Sequence, residues 1–225
     1  CRARDGALWF GGDGPELSIW KNGRFSSYTL HSMPPFAFVR TMLCAENGDL
    51  WIGTSGGLVQ LRDGSEKRLS VAEGLPDDRI FSLMQSRDGS IWIGTDDGFA
   101  RLRNGEMESF RSSNGLSQSA VYALFEDSEG GIWAGTKNGL NQFLDGRSIP
   151  YTVSEGVPSN NTGPVLEDRR GVIWVGTVDA GLARFDGRRF SPLPRSALAS
   201  KTVRALSSAA DGSLSARRRA TAASR

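Results

Sequence analysis

Few side chains in this sequence have the types and spacing to act on another molecule. They are the adjacent carboxylates Asp77-Asp78 and Asp96-Asp97, a single histidine at His31, and two cysteines at Cys1 and Cys44. Glycoside hydrolysis needs two carboxyls about 5–9.5 Å apart across a cleft, whereas neighbouring acids in "PDD" and "DDG" are placed by turn chemistry. One histidine gives a Ser-His-Asp or Cys-His system a single centre. His31 precedes "SMPPF" and reads as a polar loop residue. One His and two separated Cys fall short of the roughly three to four ligands of a zinc site. No Gly-rich run leads into the Lys-Ser/Thr of a phosphate loop. The cysteines make neither a disulfide framework nor a metal site, and Cys44 reads as a small buried thiol in an apolar strand. No catalytic residue, metal or cofactor is expected, which leaves binding as the chemistry to look for.

The elements that would position a binding site are set by a repeat. Trp51, Trp92, Trp133 and Trp174 are 41 residues apart, and Trp9 lies 42 before the first. Within residues 80–120, "IFSLMQS" alternates enough for a strand and "RDGS" makes a tight turn with Gly89 free for positive φ. "IWIGT" is a second strand of β-branched and aromatic residues. "DDG" turns into "FARLR", Asn104-Gly105 is a strong hairpin signal, and "EMESFRS" is the fourth strand. The same phase recurs at Val39, Ile80, Val121, Thr162 and Val203 for the first strand. It recurs at Gly48, Gly89, Gly130, Gly171 and Gly212 for the first turn, and at Gly64, Gly105, Gly146 and Gly187 for the third. A unit of this kind cannot bury both faces of its own sheet, so units must stack. Four-stranded antiparallel units of this length build an all-β propeller. The tryptophan is expected between neighbouring sheets as the main apolar filler. The glycine two residues on suits close sheet packing, and the threonine after it suits a bond to a neighbouring turn.

Turns in a meander alternate between two rims. The second turns ("SGG", "DDG", "KNG", "VDAG") therefore share a rim with the connections "AEGLPDDR", "SSNGLSQS" and "SEGVPSNN". Residues that vary between otherwise matching repeats concentrate there. Asp96, Asp97, Lys137, Asn138 and Asp179 come from the turns, and Asp78, Arg79, Gln118, Asn160 and Asn161 from the connections. Planar polar groups on loops of a rigid scaffold are what a small polar ligand such as a sugar requires, and the same residue types are also ordinary turn residues.

Charge excludes one class of partner. The formal net charge of +2 includes four arginines in the last thirteen residues, and without them basic residues number 23 against 25 acidic. No clustered basic surface remains for nucleic acid. No apolar run approaches the ~18 residues of a membrane span. No signal peptide or initiator Met opens the chain, and a truncated start is the expectation.

The stretch "EGLPDDRIFSLMQSRDGSIWIGTDDGFARLRNGEMESF" resembles two-component regulator propeller repeats. The resemblance extends over residues 5–212, through D-x-x-G-x-[LI]-W-x-G-T, then G-[LF], then D/N-G, then a G-[LV] lead-in. It implies seven-bladed propellers on the extracytoplasmic, periplasmic side of a bacterial membrane sensor, with a Greek-key cap, a transmembrane helix and a cytoplasmic histidine kinase or diguanylate cyclase beyond. It implies an oligosaccharide ligand and a homodimeric parent receptor, reached by the membrane only through a segment absent here. Departures are Gly12 in place of Thr, Pro164 inside a first strand, an inserted residue in "TVDAG", and Ser215 where Trp is due. Blades are expected to start near 39, 80, 121 and 162, with partial blades at both ends. That amounts to about five blades' worth, either part of a seven-bladed ring or a closed five-bladed one. Residues 213–225 are expected to be disordered or out of frame. A stand-alone lyase-like propeller enzyme and a protein-interaction scaffold remain the other readings.

Overall fold

The computed structural model describes residues 1–111, 120–144, 147–194, 196, 198, 200–209 and 213–217. Every strand pairing in it is antiparallel apart from one isolated bridge, and the sheets follow one another along the chain. The first comprises β1 (Leu8–Phe10), β2 (Glu16–Lys21) and β3 (Arg24–Thr29). The second comprises β4 (Val39–Cys44), β5 (Leu50–Thr54), β6 (Gly57–Arg62) and β7 (Ser65–Leu69). The third comprises β8 (Ile80–Gln85), β9 (Ile91–Thr95), β10 (Gly98–Arg103) and β11 (Glu106–Phe110). The fourth holds β12 (Val121–Glu126), β13 (Ile132–Thr136), β14 (Gly139–Leu144) and β15 (Arg147–Tyr151). The fifth holds β16 (Thr162–Glu167), β17 (Ile173–Thr177), β18 (Leu182–Phe185) and β19 (Phe190–Pro192), and β20 (Ala205–Ser208) pairs with β21 (Leu214–Arg217). These are the blades of a β-propeller. The chain divides into two compact units, one running from Cys1 through the third sheet and including Val121, the other from Tyr122 onward.

Two of the cores lie between consecutive sheets and include the repeated indole as their largest buried side chain. In the first unit Trp51 packs with Leu58, Leu69, Leu75, Ile80, Ile91 and Ile93, which belong to the second and third sheets and the connection between them. In the second unit Trp133 packs with Leu140, Tyr151, Val165, Ile173 and Phe190 from the fourth and fifth. Removing ~150–250 Å² of such a ring from water contributes roughly 4–6 kcal/mol as an upper estimate. Trp51, Trp92 and Trp133 are buried, at 4%, 7% and 1% exposure. Trp174 is half-buried, in the sheet followed, among the described residues, by the two strands β20 and β21.

The remaining residues of the W-x-G-T motif are explained by what lies against them. A Cβ on Gly53 would sit 2.6 Å from Ile80 Cγ2, and one on Gly135 would sit 2.6 Å from the Gly163 carbonyl oxygen. The residues that begin the next blade therefore rest directly on the glycine. The threonine hydroxyl folds back onto its own turn. Thr54 Oγ1 donates to the Gly57 carbonyl at 2.7 Å and accepts from Gly56 N at 3.0 Å, and Thr95, Thr136 and Thr177 repeat the pattern.

The indole N–H also has an assigned place. It donates to the residue six positions earlier: Trp92 to Ser86 Oγ at 3.0 Å, Trp133 to Asp127 Oδ2 at 2.7 Å, Trp174 to Asp168 Oδ2 at 2.9 Å. Asp127 and Asp168 also accept backbone N–H groups of the first turn, closing the hairpin and anchoring the ring with one carboxylate. In the second sheet this position is Ala45, and Trp51 Nε1 is buried without a partner.

Several sequence expectations are modified. Val39, Ile80, Val121 and Thr162 do begin their strands, but the fifth begins at Ala205, with Val203 buried just before it. Pro164 lies in a register shift between Thr162 and Val165, as a strand proline must. Shifts also occur at Val39/Thr41 and Ile80/Ser82, so the bulge belongs to the repeat rather than to the proline. The reading of Cys44 as a free thiol is corrected: Cys1 and Cys44 form a disulfide, with Cα atoms 5.8 Å apart. Cys1 exchanges backbone bonds with Trp9 at 2.9 Å in both directions and Arg2 bridges to Leu8, so Cys1–Ala3 run alongside β1 and hold Cys1 in place for the bond. Ser215 pairs with Ser207 in the register that Trp51 has with Leu43, so Leu214–Arg217 keep the repeat's hairpin without its ring. Gly146, Gly212 and residues 218–225 lie outside the described residues.

Two stability outcomes are expected in chemical denaturation. Gly135→Ala forces a Cβ against a backbone oxygen and is expected to cost about 2 kcal/mol or more, whereas Gly12→Ala, with open space around it, is expected within ~0.5 kcal/mol of the parent. Ala45→Ser supplies the missing acceptor for Trp51 and is expected to add about 1 kcal/mol.

Candidate functional site

The connections after the second and fourth sheets are built alike. Each forms a short 3-10 turn, Val71–Glu73 and Val153–Glu155, closed by a capping box from Ser70 with Glu73 and from Thr152 with Glu155. Gly74 and Gly156 end these turns in the left-handed region, at φ 102° and 91°. The S-x-x-E and T-x-x-E spacing signals this motif, and the strand-period reading passed over it.

This geometry assigns two of the expected site residues to the scaffold. The Asp78 carboxylate accepts from Val71 N at 2.9 Å, and the Asn160 side-chain oxygen accepts from Val153 N at 3.0 Å. Their backbone carbonyls take Gly57 N and Gly139 N, each at 2.7 Å, which ties the connection to the second turn. Asn160 Nδ2 also reaches Asn138 Oδ1 at 3.5 Å. The Asn161 carbonyl accepts from Val178 N at 3.0 Å, beside the turn that exposes Asp179. Lys137 holds its ammonium 5.6 Å from the Tyr122 ring centre. In the first unit Arg79 pairs with Asp96 and, at 3.5 Å, with Asp77, while Asp97 pairs with Arg111 at 3.4 Å. The second-turn rim of that unit is thus a ladder of paired charges in which Asp77 and Asp96 share Arg79. Gln118 lies outside the described residues.

The sequence reading missed the aromatic component of the same rim. Phe38 brackets the second turn, donating its N–H to Ser55 Oγ at 3.1 Å and accepting from Ser55 N at 3.0 Å. Phe36 is fully exposed and Phe38 is 37% exposed. The guanidinium carbon of Arg40 lies 4.7 Å from the Phe38 ring centre and 4.8 Å from that of Phe81. Arg40 and Phe81 are the extra residues at the register shifts of β4 and β8, where a bulge re-aims a side chain. The available signal was the variability of positions 40, 81, 122 and 163, which read Arg, Phe, Tyr and Gly within an otherwise uniform strand.

Grooves also open on the opposite rim, at the first and third turns. One of ≈ 730 Å³ in the first unit is lined by Asp49, Gln60, Arg62, Lys67, Gln85 and Met107 among others, and one of ≈ 410 Å³ in the second by Asp127, Gln142, Glu167 and Phe185 among others. Their polar walls are structural. Arg62 grips the buried Asp49 carboxylate with bonds of 2.7 and 2.6 Å, joined by Gln60 at 2.7 Å and Asn47 at 2.9 Å. Arg62 chiefly, against the opposing effect of burial, holds Asp49 below the ordinary carboxylate range. At Asp88 burial acts to raise the pKa, but the Ser86 and Ser90 groups and Arg101 outweigh it and the net direction is down.

Because these carboxyls titrate lower folded than unfolded, their contribution is present above the unfolded value near ~4 and is lost as pH falls through the lower folded values. The denaturation midpoint is therefore expected to hold from pH 7 to about pH 5 and to drop below about pH 4. Asp49→Asn is expected to lower the midpoint at pH 7 and make the acid drop shallower.

Comparison with known proteins identifies the repeats. The two component regulator propeller family matches residues 34–56, 74–97 and 115–138. Among curated sequences, none matches this chain. Of solved structures, the extracellular domain of a candidate hybrid two component system, BT3049 of B. thetaiotaomicron, is similar at TM-score 0.81 and 20% identity. That likeness covers 96% of this chain and 31% of that one, so this chain spans under a third of its length. A catalytically inactive virginiamycin B lyase of Staphylococcus aureus, with quinupristin, is similar at TM-score 0.73 and 14% identity, covering 95% and 74%. PorZ, a surface component of the type-IX secretion system of Porphyromonas gingivalis, is similar at TM-score 0.69 and 15% identity, covering 92% and 36%. At identities this low the likenesses carry the propeller fold alone.

Proposed function

We propose, from three stretches that match two component regulator propeller repeats, that the chain is a ligand-sensing portion of a bacterial transmembrane receptor. Its site is the second-turn rim and its ligand a small saccharide. The observation that carries this is the concentration of exposed Phe36 and Phe38, half-buried Phe81 and the polar ladder Arg79–Asp96 on one rim of a rigid scaffold. Sugar faces stack on aromatic rings while hydroxyls take planar polar groups, and loops fixed by β-sheets supply both without ordering cost. In this reading the domain lies on the extracytoplasmic side of the membrane. The Cys1–Cys44 disulfide supports it independently, since such bonds persist in oxidising compartments. No helix among the described residues is long and apolar enough to cross a membrane. The membrane span and the kinase or cyclase output belong to the parent protein in this reading.

A sensor does its work by binding, so the rim needs no acid–base machinery. The lyase likeness reaches the fold only, and the single histidine, His31, bonds through its backbone N–H to Glu66 in a connection. The test is thermal unfolding of the chain against a panel of neutral and acidic oligosaccharides. A ligand that binds the native state at a hundred times its dissociation constant stabilises by about 2.7 kcal/mol, and a rise of several degrees is expected for at least one panel member. Phe81→Ala is expected to remove most of that rise. A panel with no shift contradicts the reading.

A further inference from the structure

One cation of the first unit's rim, Arg40, has no ion-pair or hydrogen-bond partner among the described residues. Arg68, Arg79 and Arg111 are paired to Asp78, Asp96 and Asp97 respectively. Arg40 contacts the two phenyl rings. It is also exposed, so its N–H donors face solvent. A guanidinium held between two aromatic faces keeps its cation–π stabilisation while its edge stays open. That edge is a planar fork of donors whose spacing matches a carboxylate. Most of the entropy cost of fixing a long side chain has already been met by the rings, so an arriving anion meets a preorganised receptor.

Resting on the rim reading above, we infer that the ligand is an acidic saccharide whose carboxylate is taken by the edge of Arg40, with Phe36, exposed in the connection that leads into β4, open to a sugar face. The aspartates of the rim are held by other arginines: Asp78 by Arg68, Asp97 by Arg111, and Asp77 and Asp96 together by Arg79. The bulges of β4 and β8 are the structural device: they lift Arg40 and Phe81 out of the ladder in adjacent sheets so that the two side chains meet.

The test is isothermal titration of the full chain with trigalacturonate, with maltotriose as the neutral counterpart, and with inorganic sulfate. Trigalacturonate is expected to bind at least tenfold more tightly than maltotriose, and added salt is expected to weaken that arm alone. Arg40→Gln is expected to abolish the difference. Arg40→Lys, which keeps the charge without the fork, is expected to restore only part of it and also serves if Arg40→Gln fails to fold. Equal affinity for the two saccharides, or a preference that survives Arg40→Gln, overturns the inference while leaving a saccharide rim standing. Sulfate binding that needs Arg40, with no preference for trigalacturonate, shows a free-anion site and overturns it likewise. If no saccharide binds, both this inference and the rim reading fail.

Discussion

An indole ring between two β-sheets imposes two demands at once: a flat apolar slot on the facing sheet, and an acceptor for the one N–H that burial removes from water. The repeat meets both from within a single hairpin. The slot comes from the next blade, whose first residues press onto the W-x-G glycine. The acceptor comes from the residue six positions before the tryptophan, which also receives the backbone donors of the turn. A buried N–H without an acceptor costs on the order of 1–3 kcal/mol, so ring and carboxylate form one unit. Trp51 above Ala45 shows the unit broken while the packing persists, which puts the apolar term above the polar one in this fold.

With stacking secured by those few positions, the ends of the strands are free to differ. The second-turn rim shows how far that freedom goes. Thr54 and its counterparts close the turn from inside, and Asp78 and Asn160 tie each connection to it. What remains to vary is Phe36, Phe38, Arg40, Phe81 and the charges beside them. The separation of scaffold residues from surface residues is physical, and it leaves the surface positions free to vary without disturbing the stack.

Legibility in the sequence followed the strength of each periodicity. The strands, the two kinds of hairpin turn and the buried tryptophans all recur at a fixed interval and were readable, as was the purpose of the W-x-G glycine. The indole acceptor was not, because Ala45, Ser86, Asp127 and Asp168 share a position but not a residue type. Asp78 and Asn160 looked like ligand contacts because Asp and Asn are also the residues that bind backbone N–H groups. Arg40 and Phe81 escaped because a strand reading places them in the ladder, and only the bulge brings them out. The Cys1–Cys44 bond depends on the pairing of Cys1 with Trp9, the register that Leu43 has with Trp51, at a position the sequence reading did not assign to a strand.

The measurement closest to the central claim is hydrogen exchange at the indole Nε1 positions, followed residue by residue by NMR. Buried, with their N–H groups held by Ser86 and Asp127, Trp92 and Trp133 are expected to exchange orders of magnitude more slowly than the exposed Trp20. Exchange of Trp133 as fast as that of Trp20 would contradict the stacked-sheet architecture and everything placed upon its rim.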